Sequence, residues 1–163
     1  MNITELLATH LKGDLNMLKW HLDDFSEADT LVRPCEGANH ANWQVGHLVA
    51  STGRLLALVD SSFPSPVSSE MGEKYTKETS KSDDPKQFAT LAELRSVLTT
   101  LAETAHDWVK ALEPSKLNGT SPDWAKDFAP TKDLFIAFIA SHVQMHIGQI
   151  QVIRRRLGKP HLM

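Results

Sequence analysis

The chain has 163 residues, 41 % of them apolar and 23 % charged, an ordinary globular composition long enough to bury a core, and it reads as one domain over residues 1–163. A net charge of −3 gives no electrostatic reason to expect nucleic acid or an anionic membrane as a partner. The lone Cys35 excludes an internal disulfide and the paired thiolates of most structural zinc sites. With no signal-peptide pattern and no apolar run near the ~18 residues of a membrane span, the expected location is cytoplasmic.

Four long segments carry helical periodicity. The first covers about residues 3–22, where Leu7, Leu11, Leu15 and Leu18 recur at spacings of four and three. The connection that follows contains Ser26-Glu-Ala-Asp29, room for one helical turn. The second helix is predicted over 41–59, after a start region Gly37-Ala-Asn-His40. Residues 61–89 form the longest irregular stretch, with a short helix expected near Glu70–Tyr75. The third segment, 90–112, opens on the capping box Thr90-Leu-Ala-Glu93 and ends at Glu113-Pro114. The fourth, 131–157, starts at a Thr131 cap and stops at Gly158 with Pro160 beyond it. No segment alternates with period two over strand length, so no sheet is expected. The fold class is all-α, a four-helix bundle with long crossover connections.

The fourth segment carries the chemistry. In His142-Val-Gln-Met-His146-Ile-Gly-Gln149 the two histidines lie one turn apart, about 40° around the helix axis. Both imidazoles can reach one point, as a divalent metal requires. The competing reading is a pair of packed core histidines. Against it, the flanking stripe of Phe135, Phe138, Ile139 and Ile153 offers only Gln149 as a polar neighbour. Two ligands make a weak site, so a third belongs on another helix. The candidates are His10, His21, His40, His47, His106 and His161. His47 lies off the most apolar stripe of the second helix, beside Gly46, where another chain segment or a ligand can approach closely. Trp20, Trp43, Tyr75 and Trp124 are pocket candidates, although single aromatics more often anchor cores and loops. Cys35 has no basic partner in sequence to activate it and reads as structural. Arg154-Arg155-Arg156, in the last turns of a helix, reads as dipole complement and solubility.

Gly37-Ala-Asn-His-Ala-Asn-Trp43-Gln-Val-Gly-His47-Leu-Val-Ala-Ser resembles the second-helix signature of the DinB/YfiT-like superfamily. His142-Val-Gln-Met-His146-Ile-Gly-Gln149-Ile, followed by Arg154-Arg-Arg-Leu-Gly-Lys-Pro160, resembles that of its fourth helix. The likeness extends over almost the whole chain, including the Arg33-Pro34 turn. It implies an up-down-down-up four-helix bundle and a divalent-metal site made by His47, His142 and His146. Three neutral imidazoles leave coordination positions open, the arrangement of a catalytic metal. The metal expected is zinc or nickel, with iron, cobalt or manganese also compatible with the donor set.

The leading expectation is a metal-dependent enzyme that activates a thiol or a water for attack on a small electrophile. It would be transferase-like with a low-molecular-weight thiol such as bacillithiol or mycothiol, or hydrolase-like. The alternative is a non-catalytic, metal-binding or dimerising bundle, in line with the superfamily's link to DNA-damage-inducible expression. A homodimer is expected, because both faces of the second helix and most of the circumference of the fourth are apolar.

Overall fold

A computed structural model describes residues 1–162; Met163, the last residue of the expected domain span, lies outside the described residues. The helices are α1 (Ile3–Trp20), α2 (Glu27–Thr30), α3 (Ala41–Val59), α4 (Ser69–Glu73), α5 (Leu91–Ala111), α6 (Pro114–Leu117) and α7 (Lys132–Arg156). Single 3₁₀ turns occupy Thr79–Lys81, Pro85–Gln87 and Asp123–Ala125. Among the described residues there is no strand, only an isolated bridge between Thr120 and Thr131.

The helix starts follow from side-chain chemistry. Thr90 and Glu93 form the expected reciprocal cap at α5, with each backbone N–H bonded to the other's side chain. Asn2 with Glu5 does the same at α1, and Ser26 with Asp29 at α2. Thr131 precedes α7 but does not cap it: its hydroxyl donates to the Asp133 carboxylate, which itself accepts from the Leu134 N–H.

Side-chain pairs between helices fix their directions. Lys12 meets Glu103, Lys19 meets Thr99, and Arg95 meets the Leu22 carbonyl, so α1 and α5 are antiparallel. Gln144 meets Asp14, Gln151 meets His21, and Arg154 meets Asp24, each at a separation of 130 residues, so α1 and α7 run parallel. Gln44 on α3 meets His146, whereas His47 also faces His142, which makes α3 and α7 antiparallel. Asn42 at the start of α3 meets Ala89, and Phe63 beyond its end meets Trp108, so α3 and α5 are parallel. The order is up-down-down-up. Antiparallel packing therefore holds for two helix pairs, and the long connections make the other two parallel. The core lies between the four long helices, with Leu11, Leu15, Leu18, Leu94, Leu98, Leu101, Phe135 and Ile139 fully buried. Each such side chain stabilises the fold by about 1.5–3 kcal/mol relative to exposure.

The second apolar face of α3 is covered from within the chain. A Cβ on Gly46 would lie 2.1 Å from the ring of Tyr75, and one on Gly53 2.6 Å from Ser65 Oγ. These two glycines, two turns apart, let the segment between α3 and α5 lie directly on the helix. Tyr75 fixes that segment: its hydroxyl donates to Asn42 Oδ1 (3.1 Å) and accepts from the Ala89 N–H (3.0 Å). Burial pushes its pKa up to about 12, so it stays a neutral anchor. Among the described residues no helix is long and apolar enough to cross a membrane.

Candidate functional site

His142 and His146 sit one turn apart on α7, and His47 projects from the middle of the antiparallel α3. The ring centroids are 5.0 Å apart for His142 and His146, 5.4 Å for His47 and His142, and 5.5 Å for His47 and His146. Each ring offers a nitrogen, and the three nitrogens lie within 4.8 Å of one another. Ligands at about 2.0–2.1 Å from one ion lie at most about 4.2 Å apart. Small ring rotations close that gap.

The surroundings keep the imidazoles neutral. Burial holds the pKa of His47 down at about 4, with the neighbouring His142 and Arg54 adding to the effect. It holds that of His146 at about 3, with His142 and His47 contributing, and it lowers that of His142 as well. A neutral imidazole has a lone pair to give. The buried Nδ1 of His142 has no hydrogen-bond partner. Three neutral nitrogen donors, one of them orphaned, fit a divalent cation of the zinc class.

The orientation of His146 is set by Gln44, a fully buried α3 residue one turn before His47. The Gln44 amide nitrogen donates to the Asn39 carbonyl at 2.8 Å, which turns its Oε1 toward His146. That oxygen accepts from His146 Nδ1 at 3.0 Å. The proton is thereby placed on Nδ1, and Nε2 keeps its lone pair for the cluster. Gln149, the one polar residue on the flanking stripe of the fourth helix, is exposed. The available signal for Gln44 was helical spacing: residues 44 and 47 share a face of α3. Trp43 holds His47 in turn. Its indole stacks on the imidazole at 4.8 Å and 8°, while its Nε1 donates to the Thr76 carbonyl (3.1 Å) and Thr79 Oγ1 (3.2 Å).

The other histidines serve the fold or face solvent. His40 caps α3: its Nδ1 accepts from the Trp43 N–H at 3.0 Å, and its Nε2 donates to the Ser82 carbonyl at 3.1 Å. Buried His21 donates from Nδ1 to the Met17 carbonyl (2.8 Å) and accepts at Nε2 from Gln151 (2.9 Å). His10 and His161 are exposed, and His106 pairs with Asp107 at the surface. Cys35 is exposed in the turn before α3 and is no part of the cluster. Trp20 and Trp124 are surface residues; Trp124 belongs to an aromatic group with Phe128, Phe135 and Phe138 that leads to His142. Arg154 departs from the solubility reading. It is 1 % exposed and donates to the His21 carbonyl, the Asp24 carboxylate and the Pro160 carbonyl.

A cavity of about 420 Å³ reaches His47 from solvent, lined also by Asn39, Trp43, Arg54, Tyr75 and Lys77. Its volume is that of a small-molecule site.

Two solved structures share this architecture. A conserved protein from Enterococcus faecalis superposes with a TM-score of 0.75 at 18 % identity, over 98 % of this chain and 99 % of its own. YfiT from Bacillus subtilis, described as a probable metal-dependent hydrolase with an unusual four-helix bundle topology, superposes with a TM-score of 0.65 at 16 % identity. That match covers 96 % of this chain and 89 % of YfiT. No functionally curated protein matches the chain in sequence. The family model of the DinB superfamily matches residues 10–150, a span that includes His47, His142 and His146, and the chain belongs to the DinB superfamily.

Proposed function

We propose that this protein is a divalent-metal-dependent enzyme in which His47, His142 and His146 hold the ion and the cavity at His47 admits a small electrophilic substrate. The convergence of three neutral imidazoles carries the reading. A bound ion there supplies Lewis acidity and lowers the pKa of a water or a thiol to a range where it attacks at neutral pH. The chain's own residues do the rest. Gln44 holds the proton of His146 on Nδ1, and Trp43 holds the plane of His47. The apolar packing of α7 against α3 excludes water from the inner side of the cluster. The description of YfiT as a probable metal-dependent hydrolase supports hydrolysis, and thiol transfer is the second reaction within the proposal.

The alternative, a metal held only for stability, calls for a fourth protein ligand that closes the site. Among the described residues the cluster contains three histidines and no carboxylate or thiolate, and a cavity reaches it. Both observations favour an exchangeable position. The test is a paired screen of zinc- and nickel-loaded protein against activated esters and amides, and against a chloro-arene electrophile with bacillithiol or another small thiol. Turnover should vanish on chelation and return with metal. Turnover that survives full chelation, with metal shown to be absent, overturns the proposal.

We also propose a homodimer through α7. The excess apolar face of α3 is spent on Tyr75 and Val67, but Leu134, Met145 and Val152 remain about half exposed along α7. Light scattering at micromolar concentration should give twice the 18.1 kDa chain mass; the chain mass itself would contradict this.

A further inference from the structure

The helix that supplies His47 carries the same dipeptide pattern twice. Gly46-His47 is followed two turns later by Gly53-Arg54. A separation of seven residues returns to nearly the same face of a helix, about 10.5 Å further along. In each pair the glycine is where the covering segment touches α3: Tyr75 on Gly46, Ser65 and Val67 on Gly53. In each pair the next residue borders open space beside that contact. The cavity of about 420 Å³ at His47 also includes Arg54 and Lys77, and it joins a second cavity of about 570 Å³ through Arg54, Gly72 and Thr76.

The charge of this cleft is uncompensated where it meets the histidines. Its His47 end has two cations, Arg54 and Lys77, and no acidic side chain in its lining. Glu73 borders only the further cavity. Four other arginines have partners: Arg33 with Asp83, Arg95 with Asp23, Arg154 with Asp24, and Arg156 with the Pro34 carbonyl, while Arg155 projects from the exposed end of α7. Among the described residues Arg54 makes neither an ion pair nor a hydrogen bond, although it stands in a concave site. A guanidinium in such a position is suited to bidentate capture of a carboxylate or a phosphate.

We propose that the cleft between α3 and residues 65–80 binds a substrate bearing a carboxylate or phosphate group, with Arg54 as its principal anchor and Lys77 as a second cation. This rests on the proposed metal-dependent reading of the same cavity and adds the substrate class to it. The anchor lies about two helical turns from His47, so the anionic group sits on a part of the molecule remote from the reacting centre. The cleft selects a small, amphipathic anion: Trp43 and Tyr75 add aromatic surface to its lining at the His47 end.

The test uses succinate and inorganic phosphate as probes, and succinamide as the neutral counterpart of succinate. Nuclear magnetic resonance titrations are run on the full chain, metal-free and zinc-loaded. Saturable binding of at least one anion is expected in the metal-free protein, with shifts at the Arg54 side chain and the Trp43 indole. Succinamide should not bind. Arg54→Gln should weaken the anion at least tenfold, Lys77→Gln by less, and neither should weaken zinc binding. Whichever probe binds more tightly identifies the carboxylate or the phosphate as the group recognised. Because Arg54 is exposed, its substitution leaves the fold in place. Zinc binding without anion binding, or anion binding indifferent to Arg54→Gln, overturns the inference and leaves the metal reading standing. Anion binding that depends on Arg54 in a protein that takes up no zinc supports the anion site and removes the metal.

Discussion

Replacing Gln44 by leucine isolates the contribution of the residue that orients His146. Leucine keeps most of the side-chain volume at a fully buried position, so packing changes little. Two hydrogen bonds are lost: 3.0 Å from His146 Nδ1 and 2.8 Å to the Asn39 carbonyl. In the metal-free protein this leaves a buried Nδ1–H without an acceptor, at a cost of about 1–3 kcal/mol. The imidazole can recover part of that by moving its proton to Nε2, and that tautomer has no lone pair on the nitrogen aimed at the cluster. Metal binding must then reverse the tautomer and bury an unpaired N–H. Loss of such an orienting partner lowers metal affinity by about 10- to 100-fold. Zinc affinity is measured by competition with a chromophoric chelator, and stability of the metal-free protein by urea denaturation. Both should fall in Gln44→Leu. Unchanged zinc affinity would refute the assignment of Nε2 as the donor of His146. A loss of stability alone would reduce Gln44 to a packing residue.

Three further outcomes follow from the same geometry. Gly46→Ala drives a methyl group to 2.1 Å from the Tyr75 ring; the overpacking cost of about 1–3 kcal/mol exceeds the ~1 kcal/mol gain in helix propensity, so urea denaturation should show a net loss, and a more stable variant would mean that Tyr75 does not rest on α3. Arg154→Met keeps the buried stem but strands the His21 and Pro160 carbonyls, for an expected loss of about 1.5–3 kcal/mol; a neutral result would show that these carbonyls find other partners. Metal-free protein should lose stability as pH falls. The unfolded histidines take up protons from about pH 6.5, whereas folded His47 and His146 resist until about 4 and 3, so stability is intact above pH 6.5 and declines through the window between. A flat urea midpoint from pH 7 to pH 5 would contradict the burial of these rings.

What the sequence made legible depended on the range of the signal. Local signals were strong. The span 41–59 matches α3, and the Thr90–Glu93 box starts α5, because a cap or a helical stripe lies within a few residues of itself. The pairing of His142 with His146 is likewise a property of one helix turn. Gly46 read as a place of close approach, and the Tyr75 ring is what approaches. Long-range information was poorer. Whether His47 or His40 faced α7 could not be taken from periodicity, since both sides of that helix are apolar; the resemblance to a family singled out His47. Gln44 and Arg154 were missed for a common reason. Their roles are defined by partners on other elements, Gln44 through His146 and Arg154 through Asp24 and the two carbonyls. Thr131 erred the other way: it satisfied a local rule, but its hydroxyl was claimed by Asp133.

The central claim is that three histidines from two antiparallel helices bind one divalent ion. Its most direct test is the metal stoichiometry of protein purified without a nickel column and dialysed against zinc, for the wild type and for His47→Ala, His142→Ala and His146→Ala. The wild type should retain one ion per chain. Each variant should lose it while keeping the helical circular dichroism. A His47→Ala protein that binds zinc as tightly as the wild type would contradict the claim, because the pair on α7 would then act without α3.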